Sequence, residues 1–222
     1  MTHFSVQMFD SDYWQQQNAI IGSAQGRGTT WFVLYNEQQW VLRHYYRGGL
    51  IGKLIKDSYI FTSLDKTRAV QEFKLLQHMQ ALALPAPAPV ACRVIRNGLF
   101  YQADLLTQRI ENANDLVALS TKDNLDKALW AKIGATIGQF HLQGIYHHDL
   151  NAHNILIDQQ EKIWLIDFDR GEQRAVSTLW QQANMARLLR SFRKEKKQLT
   201  PFCWQESDWQ YLLAGYQSIN AV

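Results

Sequence analysis

The 222-residue sequence contains only two cysteines, Cys92 and Cys203. They lie far apart and fit no metal-ligand spacing, so they read as buried thiols of a reducing compartment and argue against a disulfide framework or a zinc site. Long apolar runs are missing too. No stretch approaches the roughly 20 residues that cross a bilayer, and the opening MTHFSVQMFDSDYW has neither the basic nor the apolar region of a signal peptide. The chain is therefore expected to stay in the cytoplasm. Internal repeats and low-complexity tracts are absent. Prolines number four, and three of them, Pro85, Pro87 and Pro89, crowd together, where they break a helical pattern and mark the one candidate boundary. What is present is a 46% apolar composition, enough to bury a substantial core as one domain or as two small lobes sharing a cleft.

A net charge of +3 hides local concentrations. Residues 187–197 hold Arg187, Arg190, Arg193, Lys194, Lys196 and Lys197 against Glu195 alone, and residues 27–56 hold Arg27, Arg43, Arg47, Lys53 and Lys56 against Glu37. Such patches imply an anionic partner, whether nucleic acid, acidic membrane surface, or phosphorylated or carboxylated substrate, or else simply a solvated helix face.

Residues 64–82 carry Ala69, Glu72, Phe73, Leu76 and Met79 at steps of three and four, which predicts a helix with Glu72 at the edge of its buried face. After the prolines, residues 90–95 and 99–106 flank Asn97-Gly98 and predict a hairpin. Residues 125–142, with Leu129, Ile133, Ile137 and Phe140, predict a mostly buried helix closed by Gly144. Upstream, Gly22, Gly26 and Gly28 punctuate a turn before the apolar strand 29–34, where backbone N–H groups could approach phosphate closely. The next strand, Trp40-Val41-Leu42-Arg43-His44-Tyr45, places Arg43 in an apolar run, where it could pair with Glu72 across the cleft and touch nucleotide phosphates.

The stretch HHDLNAHNILIDQQEKIWLIDFD, residues 147–169, is the most telling. Ile155-Leu156-Ile157 and Ile163-Trp164-Leu165-Ile166 predict a hairpin across the polar turn 158–162, with Asn154 entering the first strand and Asp167 leaving the second. Asp149, Asn154 and Asp167 then gather at one end. A carboxylate to accept a hydroxyl proton, with an amide and a carboxylate for Mg²⁺, suits phosphoryl transfer. The spacing resembles the H-x-D-x-x-x-x-N and D-F-G motifs of the protein-kinase-like superfamily. That resemblance implies an α+β, protein-kinase-like bilobal fold. Residues 1–106 would form an N-lobe of antiparallel sheet plus one helix, and 107–222 a minimal, mainly helical C-lobe. ATP and Mg²⁺ are the cofactors it implies, with adenine against Leu105, Leu106 and the connector to Gln108.

Two departures point away from a regulated protein kinase: Arg43 where that pattern has Lys, for which Lys53 or Lys56 would be substitutes, and Asp169 where it has Gly, adding a third carboxylate near the metals. Gly26-Arg27-Gly28-Thr29, residues 42–49, residues 67–73 and Asp149-Leu150-Asn151-Ala152-His153-Asn154 resemble the 3-deoxy-D-manno-octulosonic acid (Kdo) kinase family more closely. This implies transfer of phosphate from ATP to the 4-hydroxyl of a Kdo residue on lipid A, peripherally at the cytoplasmic face of the inner membrane. Asp149 would be the base, Asn154 and Asp167 the metal ligands, Arg43 placed by Glu72 the phosphate cation, and the loop from Gly22 to Gly28 the phosphate cover. Kdo-lipid A and the membrane surface are then the expected partners, with no nucleic acid and no obligate protein partner. Arg27, Arg47, Arg68 or the 187–197 cluster would hold the anionic acceptor, and Trp180, Trp204 and Trp209 could meet lipid unless they pack in the core. Other acceptors of the same fold, an aminoglycoside, a core heptose or a protein, and a catalytically idle scaffold are the alternatives.

Overall fold

A computed structural model describes residues 4–26, 28–47 and 57–220. The chain divides into two compact units, one of Met1–Gln77 with Pro87–Arg109 and the other of His78–Ala86 with Ile110–Val222.

The first unit is an antiparallel sheet with helical cover. Its strands are β1 (Ile20–Gln25), β2 (Thr29–Tyr35), β3 (Gln38–His44), β4 (Tyr59–Ile60), β5 (Pro89–Asn97) and β6 (Phe100–Gln108), in the order β1-β2-β3-β6-β4 with β5 also paired to β6. Side chains alternate across β3, so Leu42 and Arg43 face opposite ways. Leu42 joins Trp40, Val33 and Leu106 in a core closed by Met8, Phe9 and Trp14. These last three come from a 3₁₀ turn, Val6–Phe9, and helix α1 (Ser11–Gln16). Arg93 ties the segment down, donating to Asp104 and Asp10, both at 2.8 Å, and to the Phe9 carbonyl. Helix α2 (Arg68–Ala81) buries Ala69, Glu72, Leu75, Leu76 and Met79. It starts later than the predicted residue 64, because 64–66 form a separate 3₁₀ turn and Thr67 is extended. The β5–β6 turn is also one residue later than expected. Asn97 pairs with Phe100, so the loop is Gly98-Leu99, with Gly98 at φ 60° in the first position, where a two-residue turn takes glycine.

In the second unit, α4 (Lys127–Leu142) and α6 (Glu206–Asn220) pack together, alongside α3 (Leu116–Ser120) and α5 (Thr178–Gln198). Gly144, at φ 70°, ends the turn after α4. Small sheets complete the unit: β10 (Ile163–Leu165), β9 (Ile155–Ile157) and β7 (Asn114–Asp115) in that order, and β11 (Glu172–Gln173) beside β8 (Ile145–Tyr146). Element order and sheet topology make this an α+β fold. Among the described residues no helix is long and apolar enough to cross a membrane.

The α4–α6 contact is backbone against backbone. A Cβ on Gly134 would stand 1.8 Å from the Leu212 carbonyl oxygen, and one on Gly215 would stand 1.9 Å from that of Ala131. Neither oxygen can swing aside as a side chain would. Gly134→Ala is therefore expected to cost about 3 kcal/mol or more, at the upper end for overpacking, and the check is the urea unfolding midpoint.

Candidate active site

The loop after β8 is built around two fixed backbone groups. His147 is buried, donates from Nε2 to the Ile166 carbonyl at 2.9 Å and accepts the Asp149 N–H at Nδ1 at 3.1 Å. Both bonds require the neutral ring, and burial lowers its pKa in that direction. The Asp149 carbonyl accepts from Asn151 Nδ2 and Asn154 Nδ2, each at 3.0 Å. Asn151 Oδ1 in turn caps the 3₁₀ turn Ala152–Asn154 by accepting from the N–H groups of His153 and Asn154. The Asp149 backbone is thus locked while its carboxylate remains half exposed.

Asn154 and Asp167 stand at one end of a hairpin, for reasons of register. Ile155 pairs with Leu165, and the Ile166 N–H donates to the Asn154 carbonyl at 3.0 Å, so Asp167 follows directly. The far turn is held by Asp158, whose carboxylate accepts from the N–H groups of Gln160 and Lys162 and from Trp164 Nε1. These bonds lower the Asp158 pKa against the opposing effect of burial. Asp167 adopts φ 61°, a left-handed conformation that Asp tolerates better than most residues. Phe168 anchors it, fully buried, stacked on Phe140 at 5.7 Å and tilted against His147 at 4.7 Å. Positive φ falls on Asp167 and Arg170 but not on Asp169, so the backbone here does not ask for glycine at 169.

The residues that Asn154 and Asp167 supply suit a hard, oxygen-seeking ion. Asn154 spends its N–H on the Asp149 carbonyl, leaving its amide oxygen to ligate, and Asp167 adds a carboxylate. No group of three or more His, Cys, Asp or Glu side chains able to hold a metal occurs among the described residues. Mg²⁺ does not need one, because it is commonly held by one or two protein ligands plus phosphate and water.

Helix α5 clamps the same loop along one stripe, a role its sequence did not suggest. Asn184 Oδ1 accepts the His147 N–H at 3.3 Å, Arg187 Nε donates to Asp149 Oδ1 at 2.9 Å, Ser191 Oγ accepts the Ala152 N–H at 3.0 Å, and Glu195 lies 3.6 Å from His153. The spacings of three, four and four residues follow one helix face. A polar residue every third or fourth position beside buried Leu188 and Phe192 was the available signal. The 187–197 cluster is correspondingly less free than its charge implied. Arg193 pairs with Glu206, and Lys196 donates to the Trp204 carbonyl and Gln205.

Two of the tryptophans offered to lipid belong to the core instead. Trp204 and Trp209 are buried, Trp204 stacking on Phe192 at 5.4 Å. Trp180 is partly exposed, but its indole N–H donates to the Ala175 carbonyl and its ring lies 5.0 Å from His141. His141 is itself buried and accepts or donates at Nδ1 with the Tyr216 hydroxyl at 2.8 Å. Burial pushes its pKa down from 6.5 to about 4. The unfolded chain therefore binds this proton first as pH falls. Stability should be lost between pH 6.5 and 4, by about 3 kcal/mol from this group. His147 acts in the same direction. Urea midpoints measured across that window should fall steeply in the wild type and less steeply in His141→Gln.

In the first unit the run Arg43-His44-Tyr45 is held by buried and half-buried carboxylates. Arg43 Nη2 and the Tyr45 hydroxyl both donate to Glu72 Oε2, the second at 2.6 Å. Glu72 is 3% exposed, so it lies wholly inside the buried stripe of α2 and not at its edge. The guanidinium and the hydroxyl are what allow a carboxylate there. Burial first, then the nearby Glu72 charge, raise the Tyr45 pKa well above normal. His44 lies 2.7 Å from Asp104 and 3.2 Å from Asp57, and its pKa is raised chiefly by the Asp104 hydrogen bond. Arg47 and Arg68 gather on Tyr59, at 5.0 and 4.8 Å from its ring, and Arg68 also donates to the Tyr59 hydroxyl at 2.7 Å.

Three glycine and leucine expectations change in detail. Gly22 lies within β1 opposite Phe32, and beyond the strand the Gly26 N–H donates to the Gly28 carbonyl at 3.0 Å. Gly28 is required by the Tyr46 ring, which a Cβ would meet at 1.9 Å, as well as by any need for backbone to approach phosphate. Leu105 pairs with Arg43 and shares its face, whereas Leu106 pairs with Leu42 and fills the opposite core. Alternation in β6 therefore excludes Leu106 from a nucleotide site that includes Arg43. Arg27, Lys53 and Lys56 lie outside the described residues.

The profile of the "Lipopolysaccharide kinase (Kdo/WaaP) family" matches residues 11–216. Among curated proteins, a 3-deoxy-D-manno-octulosonic acid kinase of Vibrio vulnificus is 50% identical over 211 residues, covering 95% of this chain and 89% of that protein. The protein of the same description from Photobacterium damsela subsp. piscicida is 48% identical over 213 residues, covering 96% and 88%. Among solved structures, the Cydia pomonella granulovirus kinase PK-1 aligns with a TM-score of 0.49 at 14% identity, over 73% of this chain and 56% of that one.

Proposed function

Because the chain belongs to the lipopolysaccharide kinase (Kdo/WaaP) family, we propose that it transfers the γ-phosphoryl group of ATP to the 4-hydroxyl of a Kdo residue on lipid A. The observation that carries this reading is the hydrogen-bonded loop that sets Asp149 beside Asn154, at the end of a hairpin whose second strand leads into Asp167. The identity of 50% and 48% to named Kdo kinases supports a Kdo-containing acceptor.

In the proposed reaction Asp149 orients the acceptor hydroxyl and takes its proton late, as the new O–P bond forms and the bond to the ADP oxygen breaks. His147 and the two amides hold Asp149 by its backbone, which fixes the point from which its carboxylate reaches the hydroxyl. Asn154 and Asp167 would hold Mg²⁺, which offsets phosphate charge when bound. Arg43, oriented by Glu72 and Tyr45, would meet the α- and β-phosphates, with Gly26 and Gly28 covering them and Leu105 against the adenine. We assign nucleotide covering to residues 1–106 and phosphoryl transfer to 107–222. Placement at the cytoplasmic face of the inner membrane follows from a lipid-linked acceptor, with exposed basic residues of α5 such as Arg190 and Lys197 suited to anionic headgroups.

The test is mass spectrometry of Kdo-lipid A incubated with ATP and the purified protein. A gain of one phosphate on the Kdo residue is expected. No gain there, with phosphate appearing on a core heptose, an aminoglycoside or a protein, would replace the acceptor.

A further inference from the structure

Arg187 stands where a cation helps a general base least. Its Nε donates to Asp149 Oδ1 at 2.9 Å, and Nη2 donates to the same oxygen. A guanidinium there occupies lone pairs that must receive the acceptor's proton. The fold does not require the pair either. The side chains are 46% and 45% exposed, and an ion pair so open to water adds little stability. The neighbouring members of the α5 stripe already hold the loop through its backbone, Asn184 at His147 and Ser191 at Ala152.

An acceptor hydroxyl that gives its proton to Asp149 must come within about 3 Å of that carboxylate. It must therefore also come close to the Arg187 guanidinium. Resting on the reading above, in which the acceptor is an acid sugar, we propose that Arg187 binds the acceptor's carboxylate. The planar fork exchanges from Asp149 Oδ1 onto the two carboxylate oxygens of the sugar, a bidentate match that Arg makes and Lys does not. One exchange has two effects. It sets the sugar ring in register with the base, and it returns the Asp149 oxygen to the hydroxyl proton. A neutral sugar offers nothing to draw the fork away, so the same contact disfavours neutral acceptors. Arg187 makes and breaks no covalent bond; its role is binding and specificity.

The experiment compares the whole chain with R187Q on two acceptors, Kdo-lipid A and the same lipid with the Kdo carboxylate converted to a carboxamide, reading kcat/KM for phosphate incorporation. The wild type should prefer the carboxylate by about 100-fold, as expected where a charged binding group loses its partner. R187Q should fall by a similar factor on the native acceptor, and its preference should shrink to about threefold or less. R187K should recover part of the preference, because it keeps the charge without the fork. Thermal melting of R187Q should match the wild type, given the exposure of the side chain. A wild type indifferent to the carboxylate overturns the proposal. So does R187Q with the wild-type preference intact, including the case where it loses activity only through a raised KM for ATP. Both results leave the acceptor's identity standing. A wild type that does not phosphorylate Kdo-lipid A at all removes the acid-sugar reading, and the proposal with it.

Discussion

Asp149→Ala is expected to lower turnover by about 10³- to 10⁴-fold, the upper range for loss of a positioned general base, with no loss of fold. The reason for the second half is in the bonding. His147, Asn151 and Asn154 grip Asp149 through its N–H and carbonyl, which the substitution leaves in place. The deleted carboxylate is half exposed and its partner Arg187 equally so, so no buried charge is stranded. Asp149→Asn should be nearly as inactive, since it keeps the shape and loses the proton acceptor. Single-turnover phosphate transfer measured beside urea unfolding separates the two halves. Turnover within tenfold of wild type in Asp149→Ala would remove this residue from the chemistry.

Asp167→Asn should be comparably damaging, by at least about 10³-fold, under the proposal that its carboxylate holds the metal, because a bound metal supplies several kcal/mol of charge stabilisation in the transition state and each 1.36 kcal/mol is tenfold in rate. Asn is the informative replacement at φ 61°, since it tolerates the left-handed region as Asp does. The backbone and the Phe168 anchor should survive. The expected signature is weakened binding of Mn²⁺ in the presence of ATP, followed by electron paramagnetic resonance, with an unchanged unfolding midpoint. Unaltered Mn²⁺ binding would place the metal elsewhere.

The parts of this molecule that could be read from the sequence are those whose bonding is local. The 155–166 hairpin was legible because two apolar triplets bracket a turn that Asp158 caps itself, so pairing and register follow from adjacent residues. The Arg43–Glu72 pair was legible only through the spacing of a known pattern, since 29 residues separate the partners. What escaped depends on distant surfaces meeting. Nothing in residues 6–16 announces that Met8, Phe9 and Trp14 will close the face of Leu42 and Leu106, because that short segment shows no sustained period. The sequence alone therefore leaves Leu106 beside Leu105 on the nucleotide side, whereas it fills the core. Gly134 and Gly215 are 81 positions apart, and only the helix crossing shows why each must lack a side chain. Helix α5 is legible only in part. Its dense positive charge drew attention to solvent, whereas Asn184 and Ser191, which carry no charge, hold the loop.

That helix also limits where the chain can change length. Each residue of an α-helix turns about 100° from the last, so inserting or deleting one position between Asn184 and Ser191 would swing one clamp away from its backbone N–H partner while the other stayed. Sequence drift in this segment should be by substitution alone. Gaps should be tolerated only past Glu195, where the helix no longer touches the loop that holds Asp149.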